Sequence, residues 1–340
     1  MRLDLSFISA LMPMVRGLKG ETPSLDEQWE LISRQPCVTD ILENGFVREE
    51  DGRSLTVEEW KALWRGAVAG QQAVPGFRQR YMLQNMQVAL THTSALEQML
   101  AHLLRDEDSL SEQIVARVMI NLPAHAQLPG AITLALGTCS GGFVDRQGGI
   151  VVDLVTIHAL ADDPSAIIQF LAHETWHAGH WSLVATHPRQ HEPWLGPLAQ
   201  LQSEGMVNHL IGGTYELMSR TVRTGHGEAQ DRAARFLDYA DTMDAHSQPR
   251  MVDYLEHLDA LIAGNTVEYE SFVRQLPDNP GYLHGVLMAK TIEDVRGRRA
   301  LLDTTPDPVA FLLTAIQAFQ EIGCDVCSPV LWERLAALSR

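Results

Sequence analysis

Four cysteines in 340 residues are too few for a disulfide framework. The one close pair, Cys324 and Cys327, lacks the two further nearby ligands that a structural zinc site needs, and Cys37 and Cys139 are remote in sequence. A reduced pair is the plainer reading. Positive charge is also scarce: 26 lysines and arginines stand against 43 aspartates and glutamates, for a net charge of −17 with no long basic run. That argues against nucleic acid and against anionic membrane surfaces as partners. No apolar stretch approaches the roughly 18 residues needed to span a bilayer. The opening run from Met1 to Val15 carries Asp4 in its would-be basic region, is broken by Pro13, and has no clean small-residue cleavage site. It reads as a core segment rather than a signal peptide, and a cytoplasmic location is the expectation. Internal repeats and low-complexity tracts are missing too. What remains is a globular chain, 45% hydrophobic and 20% charged, long enough for a large core and for two lobes.

Helical spacing dominates the first third: Ser24 to Ser33, Thr56 to Val68 with Trp60 and Trp64 four apart, and a long run from Phe77 to Leu104. From Ile114 the texture turns β-rich. Three short runs, Ile114 to Pro123, Ala131 to Gly137 and Gly149 to Val155, are separated by Pro129-Gly130 and Ser140-Gly-Gly. They predict a small, mostly antiparallel sheet. The remainder is again mainly helical. The expected class is therefore α+β, predominantly helical. The expected division is an N-terminal helical region, 1–112, and a catalytic region, 113–340, with sheet and metal helix in 113–181 and helices in 182–340.

The most informative stretch is His173-Glu174-Thr-Trp-His177. On a helix, residues four apart share a face one turn apart, so both imidazoles can meet one metal ion. Glu174 beside them can polarise a water without being a ligand. Chance alone would supply HExxH in such a chain roughly 3% of the time, so context has to decide. The context is favourable. Asp163-Pro164 is a cap followed by proline at the first helical position, and Ile167, Phe170, Leu171 and Ala178 recur at three- and four-residue spacings.

A catalytic zinc site takes three protein ligands. His180 is near the right face, but sits almost a turn beyond the pair. The pattern HExxHxxGxxH would require glycine at 180 and histidine at 183, where this chain has His180 and Leu183, so the metzincin class is excluded. The companion motifs of peptide deformylases are absent. Glu204 is the third candidate, in a run with Leu198, Leu201, Val207, Leu210 and Ile211 at helical spacing. Asn208, one turn later, is placed to orient a zinc-bound histidine, and His209 is a neighbouring polar residue rather than a ligand. For the oxyanion of an attacked carbonyl, Tyr282 and His284 follow the turn Asp278-Asn-Pro-Gly281 near a predicted helix start. Gly285 would let that helix approach the metal helix closely.

With these pieces the chain resembles the gluzincin-type zinc metallopeptidases. In texture it is closest to the uncharacterised zinc-dependent peptidases of the peptidase MA-like group. The resemblance rests on His173-Glu-Thr-Trp-His177, Ser203-Glu204-Gly205 and Gly281-Tyr282-Leu-His284-Gly285, and covers about Gly149 to Phe311. It implies Zn²⁺ held by His173, His177 and Glu204, Glu174 as general base, Tyr282 ahead of His284 as oxyanion donor, and a peptide or protein substrate. It also implies a zincin layout, in which an edge strand above the HExxH helix pairs with extended substrate; Gly149 to Leu154 is the candidate strand. A zinc hydrolase of a non-peptide amide and a non-catalytic metal-containing binding protein are the alternatives.

Overall fold

A computed structural model describes residues 1–18, 25–34, 38, 55–72, 74, 77–138, 140–145, 148–224, 227–273 and 282–339. The chain runs β1 (Arg2–Asp4), α1 (Ser6–Gly17), α2 (Leu25–Ile32), α3 (Val57–Val68), α4 (Phe77–Thr91), α5 (Thr93–Arg105), α6 (Glu107–Met119), β2 (Ala131–Ala135), β3 (Gly142–Val144), β4 (Ile150–Asp153), α7 (Leu154–Ala159) and α8 (Pro164–Val184). Then follow α9 (Leu195–Leu210), α10 (Thr214–Thr224), α11 (Gly227–Ile262), α12 (Thr266–Val273), α13 (Leu283–Arg296), α14 (Arg298–Asp303), α15 (Pro308–Glu321) and α16 (Pro329–Leu338). The predominantly helical α+β class is the observed one.

Local chemistry explains several boundaries. Thr56 and Glu59 close a capping box at the start of α3: the Glu59 amide donates to Thr56 Oγ1, and the Thr56 amide donates to the Glu59 carboxylate. The run from Phe77 to Leu104 is two helices rather than one. Around its break at His92, the Thr91 and Thr93 hydroxyls donate to the Gln87 and Ala89 carbonyls, a back-bonding that bends helices. The β-rich reading of Ile114 to Pro123 is corrected: its first half is the end of α6. Leu110, Ile114 and Val118 are buried at four-residue spacing, so helical periodicity outweighed the β-branched composition.

The sheet has the order β1-β2-β4-β3. β1 and β2 are parallel, β2 and β4 are parallel, and β3 and β4 are antiparallel. The mostly antiparallel expectation therefore fails in strand direction. β3 and β4 are consecutive and antiparallel, and β4 inserts between β3 and β2 and runs parallel to β2. The strand expected at the edge, Gly149 to Leu154, is β4 and is interior. Ile150, Val151 and Val152 are fully buried, as an unbroken apolar run on a central strand should be. The edge on that side is β3.

The chain divides into two compact units. One comprises Met1–Val115, Pro129–Ala178 and His226–Ala229; the other comprises Ala116–Leu128, Gly179–Gly225 and Gln230–Arg340. In the first, α1 packs on β2 and buries Phe7, Ile8, Leu11 and Val15, so the opening apolar run is indeed core. In the second, α9 packs on α13 and both pack on α15. The α9–α13 crossing is made of backbone. A Cβ on Gly205 would lie 2.2 Å from the Gly285 carbonyl carbon, and one on Gly285 would lie 2.3 Å from the Leu201 oxygen. The close neighbour of Gly285 is thus the helix that carries Glu204. No helix among the described residues is long and apolar enough to cross a membrane.

Because the obstacle is backbone, neither glycine can accept a methyl without moving a helix. Gly205→Ala and Gly285→Ala should each cost about 3 kcal/mol or more, the upper end of overpacking, as read by urea unfolding. A loss below about 1 kcal/mol would show that the crossing is not tight.

Candidate metal centre

Helix α8 begins as its sequence predicts. Asp163 Oδ1 accepts from the Ser165 amide at 2.9 Å and from the Ala166 amide at 3.4 Å, with Pro164 in the first turn. Three turns on, His173 and His177 stand on one face with ring centroids 4.8 Å apart. Their Nε2 atoms are 3.1 Å apart. Two nitrogens bound to one tetrahedral zinc at about 2.0 Å would be separated by about 3.3 Å, so this spacing suits a shared ion. Glu204, mid-way along α9, completes a group in which one ligand atom from each residue lies within 4.8 Å of the others. All three residues are buried, at 5%, 7% and 5% exposure. Two imidazoles and one carboxylate are the donor set of a catalytic rather than a structural zinc site, so the residues fit the metal.

Of the three candidates for a third ligand, the structure brings Glu204 to the histidine pair. His180 is committed elsewhere: its Nε2 lies 2.9 Å from Gln202 Oε1, and the Gln202 amide donates to the Thr304 carbonyl at 2.8 Å. His209 pairs with Glu293 at 2.6 Å. Asn208 donates to the Glu204 backbone carbonyl at 2.9 Å, within its own helix. Gln200, one turn earlier in this helix, reaches the Glu204 carboxylate: its Nε2 donates to Oε1 at 2.8 Å. The four-residue spacing of helical neighbours pointed as readily to Gln200 as to Asn208.

Glu174 is 8% exposed. Above its carboxylate runs β3: a Cβ on Gly142 would lie 2.6 Å from Glu174 Cδ and 3.0 Å from Oε1. Gly142 lies against the candidate base and was missed by sequence reasoning, because Ser140-Gly-Gly reads as turn punctuation. Only a residue without a side chain lets this edge strand lie directly on the carboxylate. Here, unlike at Gly205, the obstacle is the flexible end of a side chain. Gly142→Ala should therefore stay within about 1 kcal/mol of wild-type stability and instead displace the Glu174 carboxylate, which a crystal structure of the variant would reveal. An unmoved carboxylate with a large stability loss would contradict this.

Tyr282 immediately precedes α13, half-buried, with its ring edge-on to Phe236 at 6.1 Å. The turn before it, Asp278 to Gly281, lies outside the described residues. His284 is 1% exposed and stacks on Tyr254 at 4.4 Å. Its Nδ1 has no hydrogen-bond partner. Burial, with the nearby Arg250 cation adding to it, pushes this imidazole down to about 4, so it is neutral near pH 7. An unfolded histidine titrates near 6.5, so between those values the unfolded chain holds the proton more tightly. The stabilisation from neutral His284 is complete above about 6.5 and is lost as pH falls toward 4. Wild type should lose Tm more steeply than His284→Gln across that interval, and parallel melting curves would refute the assignment.

Cys324 and Cys327 are free, and burial, with Asp325 and Asp259 adding, pushes the Cys327 thiol up to about 11. That is far from a metal-binding thiolate.

Residues 45–322 match the family described as "putative zinc dependent peptidase (DUF5700)". The match spans well over half of the 340 residues. The chain belongs to this family. The family's zinc dependence accords with the buried His173, His177 and Glu204 group. No curated protein and no solved structure matches the chain. Together, family and donor set support a zinc hydrolase.

Proposed function

We propose that this protein hydrolyses peptide bonds, with His173, His177 and Glu204 holding zinc and Glu174 as general base. The observation that carries the reading is the buried pair of Nε2 atoms 3.1 Å apart, with Glu204 completing the set and Glu174 next to His173 in the same helix. Bound there, zinc supplies Lewis-acid polarisation of water and of a carbonyl oxygen. Gln200 holds one oxygen of Glu204 and so limits how that carboxylate turns. Glu174 takes the proton of the attacking water on its carboxylate and returns it to the departing amine. Its burial beneath β3 keeps bulk water from competing for that proton.

Peptide, rather than another amide, is favoured by the sheet edge. β3 pairs only with β4 in the sheet as described, so its other side offers backbone donors and acceptors to an extended chain. Gly142 brings that edge onto Glu174, where the scissile bond has to lie. Tyr282, with His284 second, donates to the carbonyl oxygen as it becomes charged. A neutral His284 imidazole retains one N–H for that purpose.

Glu174→Gln should retain one zinc per chain and lose about 10²–10⁴-fold in kcat, since general acid–base catalysis is worth that much. Glu204→Gln should weaken zinc binding itself in a chelator competition. New amine termini released from a peptide library by the zinc-loaded protein provide the readout. Wild-type turnover by Glu174→Gln would refute the mechanism.

A further inference from the structure

We infer that Asp153 is a positioning residue for the strand that covers Glu174, acting through Thr138 and Ser140. The inference rests on the proposed role of β3 as the edge that receives a peptide. Asp153 is the last residue of β4 and is fully buried. Its Oδ1 caps α7 by accepting from the Val155 amide at 2.9 Å. That task needs one oxygen, and serine, threonine or asparagine would perform it as well.

The second oxygen does something else. Oδ2 accepts from the Thr138 amide at 2.8 Å and lies 2.8 Å from Thr138 Oγ1. Thr138 Oγ1 is in turn 2.6 Å from the Ser140 carbonyl, and Ser140 Oγ donates to the Gly142 carbonyl at 3.0 Å. From the other side, the Asp153 amide donates to the Gly141 carbonyl at 2.9 Å. One residue thus ties down successive points of the chain leading into β3, and that chain ends at Gly142 on the Glu174 carboxylate.

The Thr138 hydroxyl has one proton but two oxygen neighbours, and a carbonyl can only accept. The chain of bonds closes without a repulsive contact if Asp153 carries the proton: its O–H donates to Thr138 Oγ1, which donates to the Ser140 carbonyl. The surroundings raise the share of that form, which becomes the major one below about pH 6. Burial pushes Asp153 up to about 6, with hydrogen bonds from Thr138, Val155 and Asn85 opposing and no charged side chain acting on it.

Asp153→Asn and Thr138→Val test the inference by hydrogen exchange and by kinetics on the zinc-loaded full chain. In both variants the 138–144 segment should exchange at least about 10-fold faster, with α8 protection and zinc stoichiometry unchanged. On a peptide that the protein cleaves, KM should rise about 10-fold with kcat within about 3-fold, because the strand that holds substrate has loosened while Glu174 and the metal ligands have not. Unchanged exchange in both variants, or an unchanged KM, would overturn the inference. If Asp153→Asn does not fold, Thr138→Val decides, since it leaves the α7 cap intact. If the wild-type zinc protein cleaves no peptide, the proposed function fails, and the exchange data alone decide whether Asp153 holds β3.

Discussion

Two imidazoles and two carboxylates sit almost out of water here: His173, Glu174, His177 and Glu204 are all 8% exposed or less. A buried carboxylate without compensation costs several kcal/mol or gives up its charge. Three of them, His173, His177 and Glu204, stand close enough to share one metal ion. The rest of the local architecture follows from holding these groups close while admitting little else. Backbone approaches where side chains would not fit, at Gly142 over Glu174 and at the Gly205–Gly285 crossing beside Glu204.

The supports around the site are mostly uncharged. Gln200 holds Glu204, Gln202 links His180 to the Thr304 carbonyl, and Thr138 and Ser140 carry the hydrogen bonds from Asp153 to β3. In a chain of net charge −17 this has a physical advantage. Neutral amides and hydroxyls fix geometry without adding field, whereas another buried anion would raise the pKa of the carboxylates beside it. Asp153, fully buried and pushed up to about 6, is held by the Val155 and Thr138 amides, which donate to its two oxygens.

The metal helix was legible because its signals are local. A cap, a proline, a buried stripe and two histidines one turn apart all lie within Asp163 to His180. Helix α3 was legible for the same reason, through Trp60 and Trp64 four apart in the run from Thr56 to Val68. The failures involve information that is not local. Ile114 to Pro123 is β-branched in composition, yet Leu110, Ile114 and Val118 share one helical face, and packing rather than propensity decides such a segment. β1 joins β2 from more than a hundred residues away, and no pattern in Arg2 to Asp4 announces a strand partner. Gln200 and Asn208 flank Glu204 symmetrically in the helix, so spacing alone cannot say which one reaches its carboxylate.

By itself the sequence determined that the chain is acidic and mostly helical and that it carries a pair of helical histidines fit for a metal, because charge, periodicity and four-residue spacing are properties of neighbouring residues. Tertiary structure decided the rest. It sent His180 to Gln202 and brought Glu204 to the histidines, made β3 rather than β4 the sheet edge, and laid Gly142 on Glu174. Each of these is a choice between partners with equal local claims. Only the packing of distant segments, within the hydrogen-bonding limits of buried groups, distinguishes them.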